Sequence, residues 1–326
     1  MNKVLKWGLL STARINNALI PPLRASKRNA LTAVASRSQQ NADAYAKEKK
    51  IPRAHGTYEA LLADPEIDVI YNPLPNHLHA EWTIKALQAG KHVLCEKPLA
   101  LNVEEVDAMQ SAARQYGRVV AEAFMYRHHP QTLKVQEIVK SGSLGTVKLV
   151  RGSFSFMLTR EGDVRLNPEW GGGSIWDVGC YPISYARSAL GAEPLEVFGQ
   201  QVTGPTGIDE TFVGQMRFPG DVLMQFASSF VIPFHAFMEI VGSDGTLSIP
   251  NPFKPYENEK LVVTRDGRAE TIKIKGQELY LGEVEDMADA ILLGKQPRIL
   301  LEDSRANVHA IQCLLESART GKSITL

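Results

Sequence analysis

The sequence predicts an α/β N-terminal domain built on a parallel, doubly wound sheet, followed by an α+β domain with a large open mixed or antiparallel sheet. Short β-rich runs alternate with helical stretches over the first third of the chain, the grammar of a parallel sheet. From about Gly145, strand-like runs follow one another across short turns, the grammar of an antiparallel or mixed sheet. The length of 326 residues fits two domains at roughly 150 residues each.

In the first domain the strand candidates are residues 4–10, 31–36, 69–72, 92–95 and 119–121. The helices between them are 16–25, 40–49, 58–63 and 77–89, the last closed by Gly90. In the second, 146–156, 195–202, 211–218, 221–231 and 236–241 are rich in Val, Phe and Thr, with Phe218-Pro219-Gly220-Asp221 as a turn signal. Residues 174–190 form its main helical insertion, and 304–320 a final helix available to pack back on the first domain. The boundary is expected at residue 123, giving domains 1–123 and 124–326.

Composition narrows function. Thirty-six Lys+Arg balance 36 Asp+Glu, which argues against a nucleic-acid or membrane-surface protein. With 44% apolar and 22% charged residues the chain has an ordinary globular composition, and no apolar run approaches the ~20 residues of a membrane span. Cys95, Cys180 and Cys313 are an odd number at no metal-ligand spacing, which points to a reducing cytoplasm. The pairs His77/His79 and His128/His129 lack the third and fourth ligands of a zinc site, so no metal is expected.

The zero charge is unevenly distributed. Lys3, Lys6, Arg14, Arg24, Lys27, Arg28 and Arg37 precede the first acid, Asp43, leaving 29 of the 36 cations against 36 acids in the remainder. A basic, acid-free start is either a targeting segment or a fold that handles an anion. The apolar run from Trp7 to Leu10 is broken by Ser11, Thr12 and Arg14, which favours the anion. A dinucleotide-binding Rossmann domain needs small residues between its first strand and helix, so that backbone amides approach a pyrophosphate. Gly8, Ser11 and Ala13 fill those positions, with Thr12, Arg14 and Ile15 in the same loop. After the second strand comes Ser36-Arg37-Ser38 where an NAD site usually has an acid, a triplet suited to the 2′-phosphate of NADP, with NAD as the alternative.

Three further segments are Tyr71-Asn72-Pro73-Leu74-Pro75-Asn76-His77, Cys95-Glu96-Lys97-Pro98, and Trp170-Gly171-Gly172-Gly173-Ser174-Ile175-Trp176-Asp177-Val178-Gly179-Cys180-Tyr181. With the Gly8 loop they resemble the family of glucose-fructose oxidoreductases and inositol dehydrogenases (Gfo/Idh/MocA) over nearly the whole chain. Tyr181 and residues 163–168 look most like its dihydrodiol dehydrogenase and NADP-dependent xylose dehydrogenase branch; the inositol branch has His at the Tyr181 position. The resemblance implies hydride transfer to or from a hydroxyl or carbonyl carbon of a sugar or cyclic diol. It also implies that Asn72, Pro73, Leu74, Asn76, His77, Glu96, Lys97, Met125 and Arg127 lie by the cofactor, with domain packing as the alternative for the last two. Phe156, Arg165 and Trp170 are candidates for the substrate wall, and the open sheet for a homodimer or homotetramer contact. The family also contains glycosidases that use NAD transiently and non-catalytic dinucleotide-binding regulators.

Oxidising an alcohol needs a hydride acceptor and a group to take the hydroxyl proton. Asp177 and Tyr181, four residues apart, share one face of a helix. A phenol near pKa 10 is a poor base at neutrality, and a nearby ammonium such as Lys97 would favour the phenolate. Lys97, Asp177 and Tyr181 are therefore the expected catalytic set, with Asp177 orienting the lysine or the substrate hydroxyl.

Overall fold

Alternation in the first part of the chain becomes a six-stranded, all-parallel sheet in the computed structural model, which describes residues 3–326. Its strands are β1 (Leu5–Leu10), β2 (Asn29–Ala35), β3 (Arg53–His55), β4 (Val69–Asn72), β5 (His92–Glu96) and β6 (Val120–Ala123), in the order β3-β2-β1-β4-β5-β6. Between them run α1 (Asn16–Ala25), α2 (Gln39–Lys49), α3 (Tyr58–Leu62), α4 (His79–Gln88) and α5 (Val103–Tyr116). The order reverses between β1 and β4, and such sheets take ligands in the crevice at the carboxyl ends of those strands. Strand β3 escapes periodicity because Arg53-Ala54-His55 has no apolar run; its pairing with β2 defines it. Helix α5, also not expected, carries its own signals: Asn102 accepts the Glu105 amide at 2.8 Å, and Gly117 closes it with φ 59°.

The second unit is organised on a nine-stranded sheet. It comprises β7 (Val147–Ser155), β8 (Glu196–Thr203), β9 (Asp209–Phe218), β10 (Val222–Ser229), β11 (His235–Gly242), β12 (Thr246–Ile249), β13 (Asn258–Arg265), β14 (Arg268–Lys275) and β15 (Ile324–Thr325). The order is β14-β13-β12-β11-β7-β10-β9-β8-β15, antiparallel throughout except for the β7–β10 pair. β7 to β11 follow the expected runs; β12 to β14 were not expected, although Asp266-Gly267, both at positive φ, is a hairpin signal. Along β9, Phe212, Met216 and Phe218 are buried while Val213, Gln215 and Arg217 are exposed, so one face is covered and the other open. Against the sheet pack α7 (Cys180–Leu190) and, behind it, α6 (Pro130–Lys140). The expected helix over 174–190 divides: Ile175–Gly179 is a π-turn, and only from Cys180 is the coil α-helical.

The units are not contiguous in sequence. The first runs to Met125 and takes in Tyr280–Arg305 as well; the second is Tyr126–Leu279 with Ala306–Leu326. The reason is α8 (Leu281–Leu293), whose Val284, Met287 and Ala288 join Leu5, Leu19, Ile20 and Leu23 in one buried cluster. Arg28 at the entry to β2 pairs with Glu285 and Asp289 on the same helix. The last helix, α9 (Leu301–Thr320), opens in the first unit, where Arg305 pairs with Asp107 at 2.7 Å. From Ala306 it belongs to the second, where Ser317 Oγ accepts the Gly199 amide at 3.0 Å.

Candidate active site

At the end of β1 the chain turns at Ser11, whose φ of 104° is a conformation L-residues rarely adopt. This corrects the sequence reading at Gly8. Gly8 lies inside β1, and a Cβ there would meet Leu61 Cδ1 at 2.9 Å and Ile67 Cγ2 at 3.3 Å, so its small size serves packing against the α3 region. Ser11 does the work of the turn glycine. Asn16, fully buried and not singled out in the sequence, donates from Nδ2 to the Ser11 carbonyl at 2.9 Å and closes the loop. Thr12, Ala13 and Ile15 are half-buried and Arg14 is exposed. No acid sits in the first turn of α1, leaving the helix dipole uncompensated for an anion. Replacing Ser11 with Gly should raise stability by about 1 kcal/mol, the strain released less the added chain entropy; chemical denaturation checks it, and an unchanged or lower stability would contradict the strain.

At the end of β2, Ser36 is buried, Arg37 exposed, and Ser38 is the N-cap of α2, its side chain accepting the Asn41 amide at 3.5 Å. The basic N-terminus is used mostly for folding. Lys3 pairs with Asp68, Lys6 with Glu66, Arg28 with the two acids of α8, and Arg24 donates to the Lys49 carbonyl. Arg37, by contrast, is exposed just after the strand end.

The loops after β4 and β5 are tied together. Asn72 is fully buried and its Nδ2 donates to the His79 carbonyl and to Thr83 Oγ1, both at 3.1 Å, so its side chain shapes the loop. Pro73 and Leu74 are buried, and Asn76 and His77 half-buried in a 3-10 turn. His79, read in the sequence only as half of a histidine pair, lies with Nε2 2.7 Å from the Leu74 carbonyl and Nδ1 2.8 Å from that of Pro98. Burial lowers its pKa to about 4. Glu96 accepts from the Tyr71 hydroxyl and, at 3.3 Å, from the Lys97 amide; burial, then the charge of Glu96, pushes the Tyr71 phenol well up. Lys97 is half-buried and its bond to Pro98 is cis. Beyond it, Glu122, itself 2% exposed, accepts the Leu99 amide at 2.8 Å, so both sides of Lys97 are anchored through the backbone. Met125, at the end of this unit's first segment, is buried.

In the second unit, Tyr181 is 4% exposed and sits among the rings of Phe154 (5.2 Å), Phe253 (5.6 Å) and Tyr126 (5.7 Å). Tyr126 and Arg127 both donate to Ser184 Oγ, at 2.9 and 3.1 Å, one turn along from Tyr181. Arg165, expected on the substrate wall, is engaged with protein: its Nε donates to Asp177 at 2.6 Å and its Nη1 to Asp163 at 3.2 Å, and the charge of Asp177 raises its pKa. Asp177 is thus held by an arginine of its own unit. Phe154, not Phe156, packs on Tyr181; Phe156 packs on Phe230 at 5.3 Å, and Trp170 is 40% exposed. Lys254 reaches over the Phe154 ring at 6.0 Å.

The second histidine pair is also structural, His129 Nδ1 accepting the Gln131 amide at 3.1 Å as N-cap of α6. Among the described residues no group of three or more His, Cys, Asp or Glu could hold a metal ion, and no helix is long and apolar enough to cross a membrane.

Residues 5–124 match the model of an oxidoreductase family with an NAD-binding Rossmann fold, and residues 132–248 match the GFO/IDH/MocA C-terminal domain. The chain belongs to the Gfo/Idh/MocA oxidoreductase family. Among its relatives is a D-xylose 1-dehydrogenase (NADP(+)) of Haloferax volcanii, 38% identical over 99% of this chain and 100% of the relative. A trans-1,2-dihydrobenzene-1,2-diol dehydrogenase of Danio rerio is 34% identical over 76% of this chain and 74% of its own. Among solved structures, a 3-ketoreductase of Actinomadura kijaniata in complex with NADP and TDP-benzene superposes with a TM-score of 0.91 at 28% identity, covering 97% of this chain and 98% of that one. As a Gfo/Idh/MocA member the protein is an NAD(P)-dependent oxidoreductase. The residues present fit that cofactor. The Ser11 turn, the acid-free start of α1 and the exposed Arg37 suit a phosphorylated dinucleotide, and Lys97 is fixed at the carboxyl end of β5.

Proposed function

We propose that the enzyme interconverts a secondary or anomeric hydroxyl of a sugar or cyclic diol with the corresponding carbonyl, using NADP in preference to NAD. The observation that carries this reading is Tyr181 itself, an aromatic-walled phenol four residues from an arginine-clamped Asp177. When bound, the nicotinamide supplies the hydride acceptor or donor. Tyr181 takes the hydroxyl proton as the C–H hydride leaves, and returns it to the oxygen in the reverse direction. Lys97 polarises that oxygen through its ammonium, held by the backbone anchors at Glu96 and Glu122. Asp177 accepts a hydrogen bond from a neighbouring hydroxyl of the substrate, its orientation set by Arg165. Arg37 binds the 2′-phosphate, the loop Ser11 to Ile15 the pyrophosphate, and the segments Asn72 to His77, Glu96 to Lys97 and Met125 to Arg127 the nicotinamide end. Phe156 and Trp170 contribute to the substrate wall.

The names of the relatives support sugars and diols as the substrate class. A spectrophotometric panel of aldoses, inositols and trans-diols with NADP and with NAD tests the reading: turnover with at least one class, faster with NADP, is expected. Inactivity across the panel in a protein that binds NADP would overturn it. We also propose a homodimer or homotetramer through the open sheet face, where Val202, Val213 and Leu223 are exposed, and a cytoplasmic working place, in keeping with three free cysteines. A monomeric mass in solution would contradict the first of these.

A further inference from the structure

The turn that carries Asp177 and leads into Tyr181 is fastened to the sheet by a carboxylate absent from the site residues above. Asp209, the first residue of β9, is 4% exposed. Its Oδ2 accepts the Ile175 amide at 2.8 Å and the Ser174 hydroxyl at 2.7 Å. Ser174, fully buried, also lies 3.0 Å from Ser228 Oγ and 3.2 Å from the Ser228 carbonyl on β10. The Asp209 carboxylate thus ties the start of the π-turn to β9, and the Ser174 hydroxyl ties it to the neighbouring β10. The space around it is committed: Gly173 has φ 120°, and a Cβ there would stand 2.1 Å from Asp209 Oδ1. The same glycine donates its amide to the Arg165 carbonyl at 3.0 Å and accepts the Asp177 amide at 3.2 Å, which links the fastening to the Arg165–Asp177 pair.

We propose that Asp209 is a positioning residue, whose carboxylate fixes the π-turn on the sheet and so sets where Asp177 and Tyr181 point. The inference rests on the reading of those two residues as catalytic. Burial raises the Asp209 carboxyl to about 6, opposed by the hydrogen bonds from Ser174 and Ile175 that favour its charged form. The charged groups on the elements around it are Asp177 on the turn, Arg165 and Asp163 on the loop before it, and Glu210 beside it on β9; β10 contributes the Ser228 and Ser229 hydroxyls. Above pH 6 the anion holds two donors by charge-assisted bonds. On acidification it protonates near 6 rather than near 4, and the turn loosens there.

The test is kcat against pH for the full-length enzyme and three variants, with Trp176, buried on the turn, as an independent emission reporter assigned by a Trp176→Phe control. Wild type should lose kcat on an acid limb near pH 6, and Trp176 emission should change over the same range. Asp209→Asn keeps an acceptor oxygen but cannot titrate, so it should retain much of kcat and lose both transitions. Ser174→Ala removes a bond that favours the anion, so both transitions should move to higher pH. Asp209→Ala should lower kcat about a hundredfold, the scale of an ångström of misplacement, with nucleotide affinity unchanged. An unaltered acid limb in Asp209→Asn, or wild-type kcat in Asp209→Ala, overturns the proposal if Tyr181→Phe is inactive. If Tyr181→Phe is itself active, the catalytic reading has failed, and persistence of the Trp176 transition in Asp209→Asn then overturns the fastening independently.

Discussion

Tyr181→Phe should cut turnover by about two to four orders of magnitude while leaving NADP affinity intact. The substitution keeps the ring that packs against Tyr126, Phe154 and Phe253 and deletes the oxygen proposed to exchange the proton. Lys97→Met should have an effect of similar size for a complementary reason. The loop around Lys97 is held by the amides of Lys97 and Leu99 on Glu96 and Glu122, and these backbone bonds do not depend on the ammonium. Groups that act as a unit are non-additive, so the double variant should fall little below the worse single one. Steady-state kinetics with a separate NADP titration decides the matter; an active double variant would remove both residues from the mechanism.

Arg37→Ala should weaken NADP by roughly ten- to a hundredfold and leave NAD nearly unchanged, since charge-assisted bonds to a phosphate contribute about 1.5–3 kcal/mol. Arg37 is exposed, so its removal disturbs little else. Ser38 is the instructive neighbour. Its side chain caps α2, and Ser38→Ala should cost about 1 kcal/mol of stability whichever nucleotide is offered. Parallel binding curves for the two nucleotides separate these outcomes, and equal losses for NADP and NAD in Arg37→Ala would rule out a 2′-phosphate contact.

The parallel sheet was legible because its strands are buried apolar runs separated by helices, and β7 to β11 because apolar and polar residues alternate across turns. The edge strand β3 was not, because the neighbour on one side creates it. In the candidate site, sequence reading reaches what one short segment holds, as at Glu96-Lys97-Pro98 or Asp177 to Tyr181, the segments proposed to carry the chemistry. Residues acting across long sequence separations left no local trace. Asp209 meets Ile175 over 34 positions, and Phe154 reaches Tyr181 only because β7 lies under α7. Arg165 looked like a free guanidinium because nothing in the sequence says that Asp177 claims it. The glycine loop misled for a different reason: Gly8 satisfied the pattern by residue type, while the conformation that the pattern requires belongs to a serine.

The nucleotide-binding unit counts Val284, Met287 and Ala288 of α8 in the same buried cluster as Leu5, Leu19 and Leu23. A ribosome adding about 5–20 residues per second needs roughly eight to thirty seconds to go from Met125 to Leu281. During that interval the apolar side chains that will receive α8 have emerged without their partner, and Arg28 waits for Glu285 and Asp289. Maturation of the first-made half is therefore timed by synthesis of the other. A nascent chain stopped before α8 should be held by chaperones or cleaved by proteases, whereas one that includes it should be released able to bind NADP.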